Sequence, residues 1–143
     1  MRRGRMRARR SGRLVMPGSP AVVVDASAIA AVVFNEPASD DVVAGLGDAR
    51  LIAPSLLPYE LANVYAIKVR KYPEQKAGLD RALSLLDALD FELVAVPAGA
   101  AGSMASETGL TAFDAAYLWL AKRLGLKLVT LDRRLGEVAA GDR

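Results

Sequence analysis

Residues 110–121 read Leu-Thr-Ala-Phe-Asp-Ala-Ala-Tyr-Leu-Trp-Leu-Ala, and this stretch places a carboxylate where a helix normally carries an apolar side chain. On a helix that begins here, Asp114, Leu118 and Ala121 are spaced i, i+4 and i+7, so the acid heads the apolar stripe that faces the core. The stretch also fits a capping box, in which Thr111 and Asp114 satisfy free amides at the helix N-terminus. Three other acids in comparable positions favour a chemical role for Asp114, and they are Asp25, Glu60 and Asp132.

The length and composition fit one domain in which helices pack on a sheet. The 143 residues suffice for a core of two or three layers, and 52% of them are hydrophobic while only 6% are aromatic. No apolar run reaches the roughly 18 residues that a membrane-spanning helix needs, so we expect no membrane segment. Because the N-terminal segment also lacks the apolar region of a signal peptide, we expect a cytoplasmic location.

The absence of certain residue types excludes several kinds of chemistry. The sequence contains neither Cys nor His, which excludes cysteine nucleophiles, disulfides, Cys/His zinc sites and Ser-His-Asp triads. Carboxylates, Lys, Arg and Tyr remain available for chemistry. Clustered carboxylates call for a hard divalent cation such as Mg²⁺.

The net charge of +3 comes from the N-terminal segment. Seven arginines and no acid precede Asp25, and subtracting these seven charges leaves the rest of the chain at −4. We expect residues 1–20 to form a basic, disordered extension and residues 21–143 to form the domain. Two alternatives remain open: the segment is an arm that binds nucleic acid, or it is upstream sequence and translation starts at Met6 or Met16.

Short apolar runs alternate with helical patterns along the rest of the chain. Strands are predicted at residues 21–24, 50–53, 91–96 and 126–130. Helices are predicted at residues 28–34, 38–46, 55–71, 74–90, 97–108, 111–123 and 133–138. This alternation predicts an α/β fold with a central, mainly parallel sheet of four to five strands, right-handed crossovers and helices on both faces.

The four acids occupy positions that a parallel sheet brings together. Asp25 and Asp132 lie at the ends of predicted strands. The carboxyl ends of parallel strands meet at one edge, where such sheets bind ligands. Glu60 and Asp114 lie in the first turns of predicted helices. Each acid also has a structural interpretation: Asp25 and Asp132 could cap helices, with Ser27 as the expected cap of the first one, and Glu60 could be a solvated residue on a helix flank.

Four carboxylates in one place need a source of positive charge. A pair about 4 Å apart costs on the order of 4 kcal/mol at an effective dielectric constant near 20. Arg133 and Arg134 are the only adjacent cations, so we expect one or two Mg²⁺ ions to offset the repulsion. Metals in such a site orient a phosphodiester, activate a water and stabilise the leaving oxyanion, which predicts phosphodiester hydrolysis by in-line attack.

Four motifs in order carry a family resemblance. They are Val-Asp-Ala-Ser-Ala at 24–28, Pro-Tyr-Glu-Leu-Ala-Asn-Val at 58–64, Leu-Thr-Ala-Phe-Asp-Ala-Ala-Tyr at 110–117 and Leu-Val-Thr-Leu-Asp-Arg-Arg-Leu at 128–135. With this order and spacing the chain resembles the PIN-domain ribonucleases, and specifically the VapC toxins of bacterial type II toxin–antitoxin modules. The resemblance covers residues 21–138 and implies a PIN-like three-layer α/β/α fold. The basic extension has no counterpart in the pattern.

The resemblance also implies a site and an activity. The implied acidic metal-site residues, which would hold Mg²⁺ or, as a substitute, Mn²⁺, are Asp25, Glu60, Asp114 and Asp132. The implied polar supports are Ser27, Asn63, Thr111 and Thr130. The family pattern implies an endoribonuclease toxin that cleaves structured RNA such as tRNA or rRNA. It further implies a homodimer or a hetero-oligomer with a VapB-type antitoxin that covers the active site.

Two other functions remain open from the sequence. A receiver or haloacid-dehalogenase-like phosphotransfer domain also uses an Asp after a strand together with Mg²⁺, but the segment Asp25-Ala26-Ser27 lacks the second acid that such domains need. The other is a catalytically inactive PIN scaffold that only binds a partner. The presence of all four acids favours the enzyme over this scaffold.

We expect deletion of residues 1–16 to leave RNA cleavage unchanged, because every expected site residue lies downstream of this segment. The measurement compares cleavage by the full-length and truncated proteins at equal concentration. Loss of activity on deletion would show instead that the segment takes part in binding RNA, and RNA affinity should then fall steeply with added salt.

Overall fold

The structure is a computed structural model that describes residues 20–141. Four strands form one sheet: β1 Ala21–Val24, β2 Arg50–Pro54, β3 Phe91–Val94 and β4 Leu128–Val129. The strand order is β3-β2-β1-β4, and all three pairings are parallel. The predicted α/β fold with a parallel sheet is therefore confirmed, whereas the predicted N-terminal extension lies outside the described residues except for Pro20.

Helices connect and flank the strands. In chain order they are α1 Ala26–Val33, α2 Ser39–Leu46, α3 Leu57–Lys71, α4 Lys76–Ser84, α5 Ala98–Thr108, α6 Ala112–Leu124 and α7 Arg133–Gly141. Because sequential parallel strands must be joined by crossovers, each strand leads at its carboxyl end through a short loop into a helix. None of the helices in residues 20–141 has the length and apolar character that crossing a membrane requires.

Strand β1 is one of the two inner strands of the sheet. Val23 pairs with Ile52 on one side and with Leu128 on the other. Val23 and Val24 are both fully buried, as expected for a continuous run of β-branched residues in a sheet that is covered on both faces. Asp25, which follows this strand, therefore lies in the interior of the molecule.

Helix α6 packs against the sheet through the stripe predicted from the sequence. Leu118 and Ala121 are buried, and they belong to the same apolar cluster as Val23 and Leu61. Gly125 ends the helix with a φ of 66°, a backbone conformation that glycine adopts without steric cost. Asp114 heads the buried stripe and is itself partly buried.

Several predicted elements are shorter in the structure. A helix lies within the range predicted at 74–90, but these bounds are wrong, because α4 lies between two 3₁₀ turns at Pro73–Gln75 and Leu85–Ala88. Ser84 Oγ donates to the Arg81 carbonyl at 2.7 Å, and this local bond competes with the helical pattern where α4 ends.

Strand β4 is limited at both ends by other hydrogen bonds. The backbone N–H of Leu126 donates to the Ala121 carbonyl and thus completes the end of α6. At the other end, Thr130 turns its hydroxyl to a carboxylate. The predicted strand at 126–130 therefore shrinks to two residues, and β3 likewise ends at Val94, two residues before its predicted end.

Replacing a core residue of α3 should destabilise the fold much more than replacing an exposed one on the same helix. Leu61 is fully buried, whereas Ile67 is 50% exposed. We expect Leu61→Ala to lower the free energy of unfolding by about 2–5 kcal/mol, since it removes buried methyl groups and leaves a cavity. Ile67→Ala is the matched control, and urea unfolding measures both. Equal effects of the two variants would contradict this description of the core.

Candidate active site

Asp25 lies directly after β1 and is only 3% exposed. Its Oδ1 accepts hydrogen bonds from Ser27 Oγ at 2.7 Å and from the backbone N–H of Ala28 at 3.1 Å. Its Oδ2 accepts one from Thr130 Oγ1 at 2.6 Å. The expectation that Ser27 caps the first helix is wrong, because α1 begins at Ala26 and Asp25 is its N-cap. Asp25 thus has a structural role in addition to its expected chemical one.

The hydroxyl groups of Ser27 and Thr130 fix the orientation of this carboxylate. Each hydroxyl has one proton, and each donates it to Asp25. Each also accepts a backbone N–H, from Leu131 to Ser27 Oγ and from Asp132 to Thr130 Oγ1, both at 2.9 Å. These bonds tie the loop after β4 to the start of α1. Two of the four predicted polar supports thus contact Asp25 directly.

Asp132 lies in the same loop, immediately before α7. Its Oδ1 accepts the backbone N–H of Leu135 at 2.8 Å, as the N-cap of a helix does. The two neighbouring cations make their contacts elsewhere: Arg133 pairs with Glu137 at 3.2 Å, and Arg134 donates to the Thr108 carbonyl at 3.5 Å. Both guanidinium groups therefore contribute little compensation to the nearby acids.

Glu60 is held by a residue to which the sequence pattern assigned no role. The phenol of Tyr117 donates to Glu60 Oε1 at 2.6 Å, across 57 positions of the chain. Tyr117 is buried, and a buried phenol needs a hydrogen-bond partner. Its position one turn after Asp114, on the same helix, was the available signal. Burial raises the pKa of the Tyr117 phenol, and its hydrogen bond to Glu60 raises it further.

The remaining predicted residues lie at or near the starts of α3 and α6. Thr111 Oγ1 accepts the backbone N–H of Asp114 at 3.1 Å, which is one half of the predicted capping box. Asn63 lies one turn beyond Glu60 on α3 and is exposed. Of the four predicted supports, Ser27 and Thr130 bond to a carboxylate, Thr111 bonds to the backbone of an acid, and Asn63 faces solvent.

The four acids form one electrostatic cluster. Burial raises the pKa of Asp25, and the charge of Asp132 raises it further, while the hydrogen bonds from Thr130, Ser27 and Ala28 lower it. Burial also raises the pKa of Glu60, as do the charges of Asp114 and Asp25. For Asp114 the pKa is raised first by burial and then by the charges of Asp132 and Asp25. Each acid is thus electrostatically coupled to at least one other.

The side chains of this cluster have the chemistry that a hard divalent cation needs, but they lie too far apart to bind one as they are placed. The available donors are carboxylate and hydroxyl oxygens, which Mg²⁺ prefers. A carboxylate accepts about four hydrogen bonds. Asp25 uses three of these positions, so one lone pair on Oδ2 remains for a cation. Within residues 20–141, no three acidic side chains stand close enough to hold a metal ion as they are placed. Binding one would require the side chains to move closer together.

One cavity of the described region lies away from the acids. It measures about 510 Å³ and lies between the end of α6, the start of β4 and α7. Its lining includes Leu118, Leu126 and Leu128 and none of the four acids. This cavity is therefore not part of the candidate site.

Comparison with known proteins gives a consistent result. The model of the PIN domain family matches residues 22–141. Ribonuclease VapC3 of Pyrobaculum aerophilum is 36% identical over 121 residues, which cover 81% of this chain and 92% of that protein. The crystal structure of PAE2754 from Pyrobaculum aerophilum has a TM-score of 0.67 and 28% identity, and the match covers 86% of this chain and 87% of that one. The similarity thus extends over nearly all of the described residues.

The raised pKa values predict how stability depends on pH. The folded protein holds the protons of Asp25, Glu60 and Asp114 to higher pH than the unfolded chain does. In the absence of divalent cations, ionisation of these groups should therefore lower the free energy of unfolding. The decrease begins as the pH rises above about 4, where such acids ordinarily ionise, and continues until the pH has passed their raised pKa values. The variant Asp114→Asn removes one charge from the cluster, so its stability relative to the wild type should increase with pH.

Urea unfolding in EDTA at a series of pH values between about 4 and 8 measures this difference. Asp87→Asn, at an exposed acid outside the cluster, is the control and should follow the wild type. A difference between Asp114→Asn and the wild type that stays constant with pH would show that the cluster is not repulsive.

Proposed function

The chain belongs to the PIN domain family, and from this premise we propose that it is a Mg²⁺-dependent endoribonuclease that hydrolyses phosphodiester bonds in RNA. The observation that carries the proposal is the buried Asp25 carboxylate, fixed by three hydrogen bonds and electrostatically linked to three other acids. The similarity to a protein named Ribonuclease VapC3 supports the same reaction.

The orientation of Asp25 before any ligand binds suits it to act as a ligand. Its carboxylate is held by groups from α1 and from the loop after β4, so little conformational freedom is lost when a cation binds. Glu60 is fixed through Oε1 by Tyr117, which leaves Oε2 for a further contact. When bound, Mg²⁺ supplies a water of lowered pKa and positive charge for the phosphate and the leaving oxygen.

The mutual repulsion of the acids favours cation binding. Burial and neighbouring charges raise the pKa values of Asp25, Glu60 and Asp114. Such groups are less stable as anions here than in water, and a dication lowers their free energy when it binds. The cation is therefore expected to bind with release of protons at mildly acidic pH, and the carboxylates to close around it.

The proposal extends to the biological setting. We propose that the protein is the toxin of a toxin–antitoxin pair, that it acts in the cytoplasm on tRNA or rRNA, and that a VapB-type antitoxin covers the acidic edge. We also propose a homodimer. The name of the relative, Ribonuclease VapC3, supports the toxin assignment. Glu60, Asp114 and Asp132 are partly exposed in this single chain, so they give a partner a surface to cover at this edge.

A second function is favoured by one observation. No three acidic side chains in the described region stand at metal-binding distance, and this spacing fits an inactive scaffold that only binds a partner. Purified protein that cleaves no RNA with either Mg²⁺ or Mn²⁺ would favour the scaffold.

Replacing Asp25 or Asp114 by Asn should abolish RNA cleavage and leave the fold intact. Asp25→Asn keeps an oxygen for the N-cap, a position where Asn serves as well as Asp, and Asp114→Asn relieves repulsion. Loss of a supporting group in a metal site typically costs 10–100-fold, so we expect each of these variants to lose at least about 100-fold in Mg²⁺-dependent RNA cleavage. Circular dichroism checks the fold, and Asp87→Asn serves as the active control. Full cleavage by either variant would refute the assignment of the site.

A further inference from the structure

A groove lies at the β4 margin of the sheet. It is the cavity of about 510 Å³ between α6, β4 and α7, and its walls include Leu118, Leu126, Leu128, Gly136 and Ala139. None of its lining residues belongs to β1, β2 or β3. We call this cavity the edge groove. Its volume and its apolar walls are typical of a binding site.

Strand β4 offers unpaired backbone groups at this margin. In the described part of the chain, β1 is its only neighbour in the sheet. The Val23 N–H donates to the Lys127 carbonyl at 2.9 Å, and the Asp25 N–H donates to the Val129 carbonyl at 3.1 Å. Because successive residues of a parallel strand direct their backbone groups to opposite sides, the N–H and C=O of Leu128 point away from β1. Such groups are the ones with which an added strand pairs.

Small side chains on α7 leave the space for the edge groove. Gly136, Ala139 and Ala140 are its lining residues on this helix, and positions three or four apart on a helix lie on one face. A Cβ on Gly136 would meet Thr130 Cγ2 at 3.6 Å, which is an ordinary van der Waals distance. The helix would therefore admit at least an alanine at this position, and its own side chains do not fill the groove.

The margin of the edge groove is positively charged. Lys122 and Lys127 are exposed and belong to the ten residues that line it, none of which is acidic. Arg123 follows Lys122 in the last turn of α6. The groove therefore complements an occupant with negative charge. A second copy of this edge would bring like charges together, and the arginines of residues 1–16 have the same sign of charge as the groove.

We propose that the edge groove binds an extended, acidic segment of a partner protein, which adds a strand to β4. A segment of alternating apolar and acidic residues presents its apolar side chains on one face and its carboxylates on the other. The apolar face fills the groove, and the carboxylates lie in solvent near Lys122 and Lys127. Hydrogen bonds to the Leu128 backbone provide affinity, and the groove selects the side chains.

The apolar walls and the strand edge favour a protein segment over a nucleic acid. A protein segment supplies both apolar side chains and backbone amides that continue a sheet, whereas a nucleic acid supplies neither. None of the four acids of the candidate site lines the groove. This inference therefore does not rest on the proposed ribonuclease function.

The test uses the full-length protein and two short fluorescein-labelled peptides, in which Val alternates with Glu in one and with Lys in the other. Fluorescence anisotropy measures binding. We expect saturable binding of the acidic peptide, and binding of the basic peptide at least about tenfold weaker. Lys127→Glu should weaken binding of the acidic peptide by at least about tenfold and strengthen binding of the basic one. Lys71→Glu is the matched control, since this exposed lysine lies at the end of α3.

Two further measurements test the added strand and the groove. The Leu128 amide should exchange its hydrogen at least about tenfold more slowly when the acidic peptide is bound, because it becomes a donor in the ladder. An acidic peptide with methylated backbone nitrogens keeps its side chains but loses its donors, so it should bind at least about tenfold more weakly. Ala139→Leu narrows the groove and should also weaken binding, with circular dichroism as the check of the fold.

Several results would overturn the inference. Equal binding of the two peptides, or equal effects of Lys127→Glu and Lys71→Glu, would show attraction that is not specific to the groove. Unchanged exchange of the Leu128 amide in the complex would reject the added strand. Loss of acidic-peptide binding in Asp114→Asn would place the peptide at the acids instead.

Two other occupants of the groove are also separated by this experiment. An acidic peptide that converts a dimer into monomers, as seen by light scattering, would assign the groove to a second copy of the chain. Tighter binding of the peptide after deletion of residues 1–16 would assign the groove to that segment. Either result would overturn the proposed partner, and cleavage of RNA by the wild type, measured separately, tests the ribonuclease function alone.

Discussion

The hydrogen bonds to the Asp25 carboxylate are the interaction on which the rest of the site depends. They join the end of β1, the first turn of α1 and the loop after β4. The same hydroxyl groups accept the backbone N–H groups of Leu131 and Asp132, so the position of Asp132 depends on Asp25 as well. One carboxylate thus begins a helix, fixes a loop and supplies the expected metal ligand. This combination explains why an anion is kept almost fully buried at the centre of the sheet.

The arrangement favours function at some cost in stability. Burial and mutual repulsion raise the pKa values of three of the four acids, and nearby arginines make their contacts elsewhere. A fold selected for stability alone would spread these charges. The hydrogen bonds from Ser27, Thr130 and Tyr117 reduce the cost without neutralising it. The unfavourable charge at this edge is the physical basis for expecting a cation there.

Much of the fold followed from the sequence, because its signals are local. The β-branched run at 21–24 and the helical stripe after Asp114 predicted the right elements, and parallel connectivity predicted that Asp25 and Asp132 meet at one edge. Three features depend on tertiary packing or side-chain rotamers and were missed. Spacing alone could not decide between Asp25 and Ser27 as the cap of α1. The Tyr117–Glu60 bond depends on how α6 packs beside α3, and the distances between the acids depend on rotamers. Whether the predicted residues act as metal ligands stays a prediction.

Direct measurement of cation binding tests the central claim, which is that buried and mutually repelling carboxylates create a site for a dication. Calorimetric titration of the metal-free protein with Mg²⁺ in two buffers of different ionisation enthalpy, at mildly acidic pH, reports both affinity and proton release. We expect saturable binding by the wild type with release of protons, and no binding by Asp25→Asn that remains folded. Absence of binding by the wild type, or equal binding by the variant, would contradict the account.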